Sequence, residues 1–135
     1  MFEFKSKASS VADIDKLWNN YKEVQNWKKW DSSIESIELL GNFKKGTKGT
    51  LKSVGMPPLE FQLTSVTEKK SFSNESEMGP FLVTFSHNIE IENDVIIVEH
   101  GVIVSGPDEN KVNEIGNDIA STIPNAMTKL LEISK

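Results

Sequence analysis

Two histidines are the only side chains of this chain whose ordinary pKa lies near neutrality. Both fall in one stretch, FSHNIEIENDVIIVEHGV, residues 85–102. His87 precedes Asn93-Asp94 and His100 follows it. If Asn-Asp forms a two-residue hairpin loop, loop length fixes the register and His87 lies directly across from His100. The same register pairs Ile91 with Ile96, Ile89 with Val98, Phe85 with Val102 and Val83 with Val104. That face is apolar apart from the imidazoles. The other carries Glu90, Asn88, Ser86 and Thr84 against Ile97, Glu99, Gly101 and Ile103. The histidine face is therefore assigned to the interior, where directly opposed Cβ atoms are about 5 Å apart and the two rings can touch or share a water. Two readings stay open. The pair is either packing, satisfied by its neighbours, or a polar spot in a ligand cavity that orients a bound molecule or moves a proton as general acid or base. No metal site is expected, because two histidines are too few ligands and Glu99 points to the other face.

The 135 residues suit one domain, read as 1–135, and can bury a core without a metal or disulfide. There is no cysteine, which excludes thiol catalysis and thiolate metal sites. The net charge of −5 argues against nucleic acid as partner. All 15 basic residues are lysines, so bidentate guanidinium clamps are unavailable. The opening MFEFKSKAS lacks the apolar core of a signal peptide. No apolar run approaches the ~18 residues of a membrane span. The expectation is a cytoplasmic protein without stable membrane insertion; nothing calls for a cofactor, and the pattern is silent on oligomeric state.

The elements that must position the histidines follow from periodicity. Residues 2–8 alternate and predict a strand. Ser9 and Ser10 are N-cap candidates for a helix, with Asp13 in its first turn and Val11, Ile14, Leu17, Trp18 and Tyr21 at helical spacing. A second short helical stretch carries Val24 and Trp27 and ends at WKKWD. Strands follow at 33–40, 46–54, 59–67, 71–77, 81–92 and 95–106, separated by turn residues, which predicts an antiparallel meander. After Gly106-Pro107, with Asp108 as cap, the apolar positions Val112, Ile115, Ile119, Ile123, Met127 and Leu130 form one stripe over roughly 25 residues, about 37 Å of helix. Pro124 predicts a kink in it. A helix with one apolar stripe must lie on one face of the sheet, so the class is α+β.

Several segments carry a resemblance: Trp27 with Trp30-Asp31, ELLGNFKKGTKGTL at 38–51, LEFQLTSV at 59–66, His87, EHGVIVSGP at 99–107 and IPNAMTKLLEIS at 123–134. On these the chain resembles the START-like, or SRPBCC, superfamily with its helix-grip fold, in the branch of polyketide cyclase/dehydrase and lipid-transport proteins. The resemblance implies a curved antiparallel sheet of about seven strands gripping a long C-terminal helix, two short helices after the first strand, and a deep apolar cavity between the layers. Ligands of such cavities include lipids, sterols, polyketides and plant hormones. The candidate ligand-binding residues are Trp30, Phe61, Leu63, Phe72, Phe85, His87, Val98, His100, Ile115, Ile119, Ile123 and Met127; each has plain core packing as its alternative.

Three functions follow. The first is binding of a small hydrophobic molecule (lipid, polyketide or aromatic compound) in that cavity, which needs only the cavity. The second is an enzyme of the cyclase/dehydratase kind with His87 or His100 as proton carrier. Against it, the sequence offers no arginine and no evident second catalytic group, since the one tyrosine, Tyr21, belongs to the first helix. The third is a protein-interaction module with a closed pocket. Gly41, Gly46 and Gly49 around Lys44-Lys45 lack a phosphate-loop signature and read as turn geometry.

Overall fold

The computed structural model describes residues Met1–Lys135. Strand β1 (Phe2–Val11) alternates half-buried and exposed side chains along its whole length. It therefore runs on through Ser9 and Ser10, and neither serine caps the helix. Helix α1 (Ile14–Lys22) is capped by Asp13, whose carboxylate accepts from the backbone N–H groups of Asp15 and Lys16. A side-chain cap needs extended backbone directly before the helix. Asp13 has it, whereas the serines are paired with β7 (Val95–Ser105), opposite Ile97 and Ile96.

Residues Leu17, Trp18 and Tyr21 form the buried face of α1. A 3-10 turn at Val24–Asn26 leads into the short helix α2 (Trp27–Trp30). The spacing of Trp27 and Trp30 puts both indoles on one side of α2. Their N–H groups donate to the carbonyls of Tyr21 (2.8 Å) and Asn20 (3.2 Å). The last carbonyls of α1 have no partner inside the helix; the two tryptophans supply one while filling the core.

The remaining strands are β2 (Ile34–Leu39), β3 (Lys48–Ser53), β4 (Leu59–Thr67), β5 (Ser71–Met78) and β6 (Phe81–Glu92). With β1 and β7 they make one antiparallel sheet in the order β1-β7-β6-β5-β4-β3-β2. Its register shifts at Thr64, between Leu63 and Ser65, and again between Ile34 and Ser36. Such bulges bend the strand and increase its twist, which curves the sheet. Gly49 pairs with Leu39 and Phe61, and a Cβ there would lie 2.5 Å from the Glu38 carbonyl oxygen and 2.5 Å from the Phe61 ring. The position requires glycine because two strands and an aromatic ring meet at its α-carbon.

The predicted single helix is two segments, α3 (Glu109–Ala120) and α4 (Ile123–Glu132). Asp108 caps α3 by accepting from Lys111 N–H. The break at Ser121 and Thr122 replaces the predicted mid-helix kink. Pro124 falls in the first turn of α4, where a missing backbone N–H removes no helical hydrogen bond. Together the segments lie across β7 and β1, with α4 also against α2. Gly116 of α3 sits directly on the Phe2 ring. The chain end returns to α1, where the Ser134 carbonyl accepts from Asp13 N–H at 2.8 Å. No helix is long and apolar enough to cross a membrane.

Candidate functional site

The hairpin β6–β7 closes through Asn93 and Asp94, and Asn93 takes φ +56°, a left-handed conformation that asparagine tolerates. The resulting register places His87 across from His100. Both side chains are buried on the concave face, with ring centroids 4.7 Å apart and planes at 77°. The pairing step β5–β6 sets Phe72 beside His87, and the two rings stack at 3.9 Å and 7°. The Phe72 carbonyl oxygen lies 3.2 Å from His87 Nδ1. A carbonyl can only accept, so Nδ1 carries the His87 proton and Nε2 keeps its lone pair.

Helix α1 brings in a third group. The Tyr21 hydroxyl lies 2.7 Å from His100 Nε2, and the Tyr21 ring is 5.8 Å from each imidazole. This corrects the expectation that the chain has no well-placed tyrosine. The helical spacing of Leu17, Trp18 and Tyr21 announces an inward Tyr21. What a local pattern does not contain is where the helix docks along the sheet.

Burial sets the protonation states. It lowers the His87 pKa from its ordinary 6.5 to about 4, against a smaller opposing effect of the Phe72 carbonyl. It lowers that of His100 well below 6.5, with the neighbouring His87 pushing the same way. The fully buried Tyr21 phenol is pushed upward. At neutral pH the cluster is therefore an uncharged hydrogen-bonding group. No third His, Asp or Glu joins the histidines to hold a metal ion.

The remaining candidates divide by place. Trp30, Phe61 and Phe72 belong to a ring-to-ring cluster at the α1–α2 end. Tyr21 meets Phe72 at 4.9 Å and Trp30 at 5.9 Å, Trp27 meets Phe61 at 6.0 Å, and Phe43 meets Phe72 at 5.2 Å. Leu63, Val98, Ile123 and Met127 are buried, whereas Phe85, Ile115 and Ile119 are only half-buried. Aromatic rings thus occupy the layer around the histidines, and Phe85, Ile115 and Ile119 pack against the same core while only partly buried. A depression of ≈ 410 Å³ opens between α2 and the break in the C-terminal helix, and among its lining residues are Trp30, Lys28, Lys29 and Lys129. Another, of ≈ 260 Å³, is lined among others by Lys7, Lys70 and Glu99. Trp30 is the one candidate that lines either.

The concave face holds a polar residue that sequence reasoning passed over. Along β5 the inward positions are Phe72, Asn74 and Ser76, all buried, and the partly buried Met78. The Asn74 side-chain oxygen is shielded from solvent and has no hydrogen-bond partner. The signal was present in SFSNESEM, a strand with polar residues on both of its alternating faces.

A curved seven-stranded antiparallel sheet, two short helices after the first strand and a long C-terminal helical arm define a helix-grip fold. Comparison with solved structures agrees. A hypothetical protein of Helicobacter pylori superposes with a TM-score of 0.83 at 13% identity, covering 99% of this chain and 88% of that one. Ara h 8.0201 gives 0.73 at 15% identity, with 97% and 95% covered. The di-domain ARO/CYC BexL from the BE-7585A biosynthetic pathway gives 0.77 at 12% identity; 98% of this chain matches 46% of that one. No family model matches the chain, and no curated protein matches it in sequence.

Proposed function

We propose that this protein binds a small, largely hydrophobic molecule between the concave face of the sheet and the C-terminal helices. One observation carries the reading. Phe85 on the sheet and Ile115 and Ile119 on the α3 stripe share the inward positions of their elements, yet all three are only partly buried. An apolar molecule between the layers would complete their burial, at about 25 cal/mol per Å² of apolar surface removed from water. The shared fold of a di-domain ARO/CYC is consistent with a ligand-holding scaffold. Heat-stability screening against lipids, sterols and polycyclic aromatics tests it, together with native mass spectrometry of freshly purified protein. A ligand at a hundred times its Kd stabilises by about 2.7 kcal/mol, and at this size that raises Tm by roughly 5–10 °C. No shift across the panel and no retained molecule would overturn the reading in favour of a protein-interaction module.

A second reading, catalysis of the cyclase/dehydratase kind, has one specific support. The Tyr21–His100 hydrogen bond and the free lone pair on His87 Nε2 place a neutral base beside a hydrogen-bonded phenol. In this reading His87→Ala abolishes turnover of a poly-β-keto substrate; under binding alone it only changes affinity.

A further inference from the structure

Asn74 lies on the inward face of β5, paired with Leu63 on one side and Phe85 on the other. Leu63 is fully buried and Phe85 is half-buried. On β7 the inward row is Ile96, Val98, His100, Val102 and Val104, and its one polar member is hydrogen-bonded to Tyr21 through Nε2. On β5 the inward row is Phe72, Asn74, Ser76 and Met78, and two of these four are polar. The Asn74 oxygen accepts no hydrogen bond, although the residue is only 6% exposed. Leaving a buried acceptor unpaired is destabilising, a cost that an apolar side chain of similar size would avoid. Solvent does not reach the oxygen. A donor on a molecule that enters the layer would pair it, and Phe85, the neighbour of Asn74 on β6, is only partly buried.

We propose that Asn74 is the specificity-determining residue of the binding site: it selects ligands that carry an O–H donor on an apolar ring framework over donor-free or purely acyl molecules. This rests on the ligand-binding reading above. A hydroxylated ligand gains a hydrogen bond to an amide oxygen that is shielded from bulk solvent. A methyl ether of the same shape leaves the amide oxygen unpaired and adds bulk against it. Discrimination by a buried polar group left without a partner is stronger than discrimination by apolar shape alone.

The test uses three matched pairs, each a phenol and its methyl ether: 2-naphthol and 2-methoxynaphthalene, 4-hydroxystilbene and 4-methoxystilbene, estradiol and estradiol 3-methyl ether. Palmitate serves as the acyl comparison. Affinities are measured by titration calorimetry on the full chain. Wild type is expected to favour the phenol at least tenfold in one or more pairs. Asn74→Leu is expected to cut that preference below threefold, keep its affinity for the ether, and melt no lower than wild type. Asn74→Ala gives the same comparison should leucine overfill the position. Retention of the preference in both variants, or equal binding of phenol and ether by wild type, overturns the assignment of Asn74 and leaves ligand binding standing. Binding of palmitate alone does the same. Failure of every probe to bind overturns both.

Discussion

Tyr21 and His100, 79 residues apart in the chain, meet through a hydrogen bond of 2.7 Å between the phenol oxygen and Nε2. The contact ties α1 to the middle of β7 and keeps a fully buried phenol satisfied. Tyr21→Phe removes the hydroxyl and strands the His100 nitrogen. The expected loss is about 1–3 kcal/mol of unfolding free energy, measured as a lower urea midpoint with an unchanged denaturant slope. No loss would mean that the bond contributes nothing net.

Acid should destabilise the fold through the two buried histidines. His87 has a folded pKa of about 4 against 6.5 when free, and His100 is shifted in the same direction. The unfolded chain therefore binds more protons between those values, and stability falls as pH falls through that window. It is fully present above about pH 7. For His87 alone the loss by pH 4 is roughly 3 kcal/mol. Urea denaturation at pH 7.5, 6 and 5 checks the sign, and His87→Gln should flatten the slope.

Gly49 is expected to tolerate no side chain. Alanine would press on the Glu38 carbonyl, which is backbone and cannot rotate away, and on the Phe61 ring. Gly49→Ala should lower stability by about 2 kcal/mol or more. A melting temperature within a degree of wild type would show that the β2–β4 region yields easily.

Helix α1 should depend on Asp13 and not on the serines before it. Asp13→Ala removes the acceptor of two backbone N–H groups and is expected to cost about 1 kcal/mol. Ser9→Ala and Ser10→Ala should stay within about 0.5 kcal/mol of wild type. Parallel thermal melts of the three variants decide between the caps.

Much of the fold is legible in local pattern. Alternation in FEFKSKA and FSHNIEIE yields strands, and Asn93-Asp94 yields a hairpin whose register brings the imidazoles together, because side-chain direction in a strand repeats every two residues. Where the reading slipped, a local signal had two structural uses. Ser9-Ser10 can cap a helix or continue a strand, and pairing with Ile96 and Ile97 decided for the strand. Pro124 can bend a helix or begin one, and the break at Ser121-Thr122 made it the start.

The sequence by itself determined the strands, the helical faces, the facing histidines and the inward tryptophans, since each depends on neighbours a few residues away. Only the tertiary structure decided that Tyr21 completes the histidine pair, that rings of α1, α2 and β5 fill the layer beside it, and that the Asn74 oxygen is left alone. Those outcomes depend on where a helix settles on a curved sheet. That position is set by packing between residues far apart in the chain, which no local period encodes.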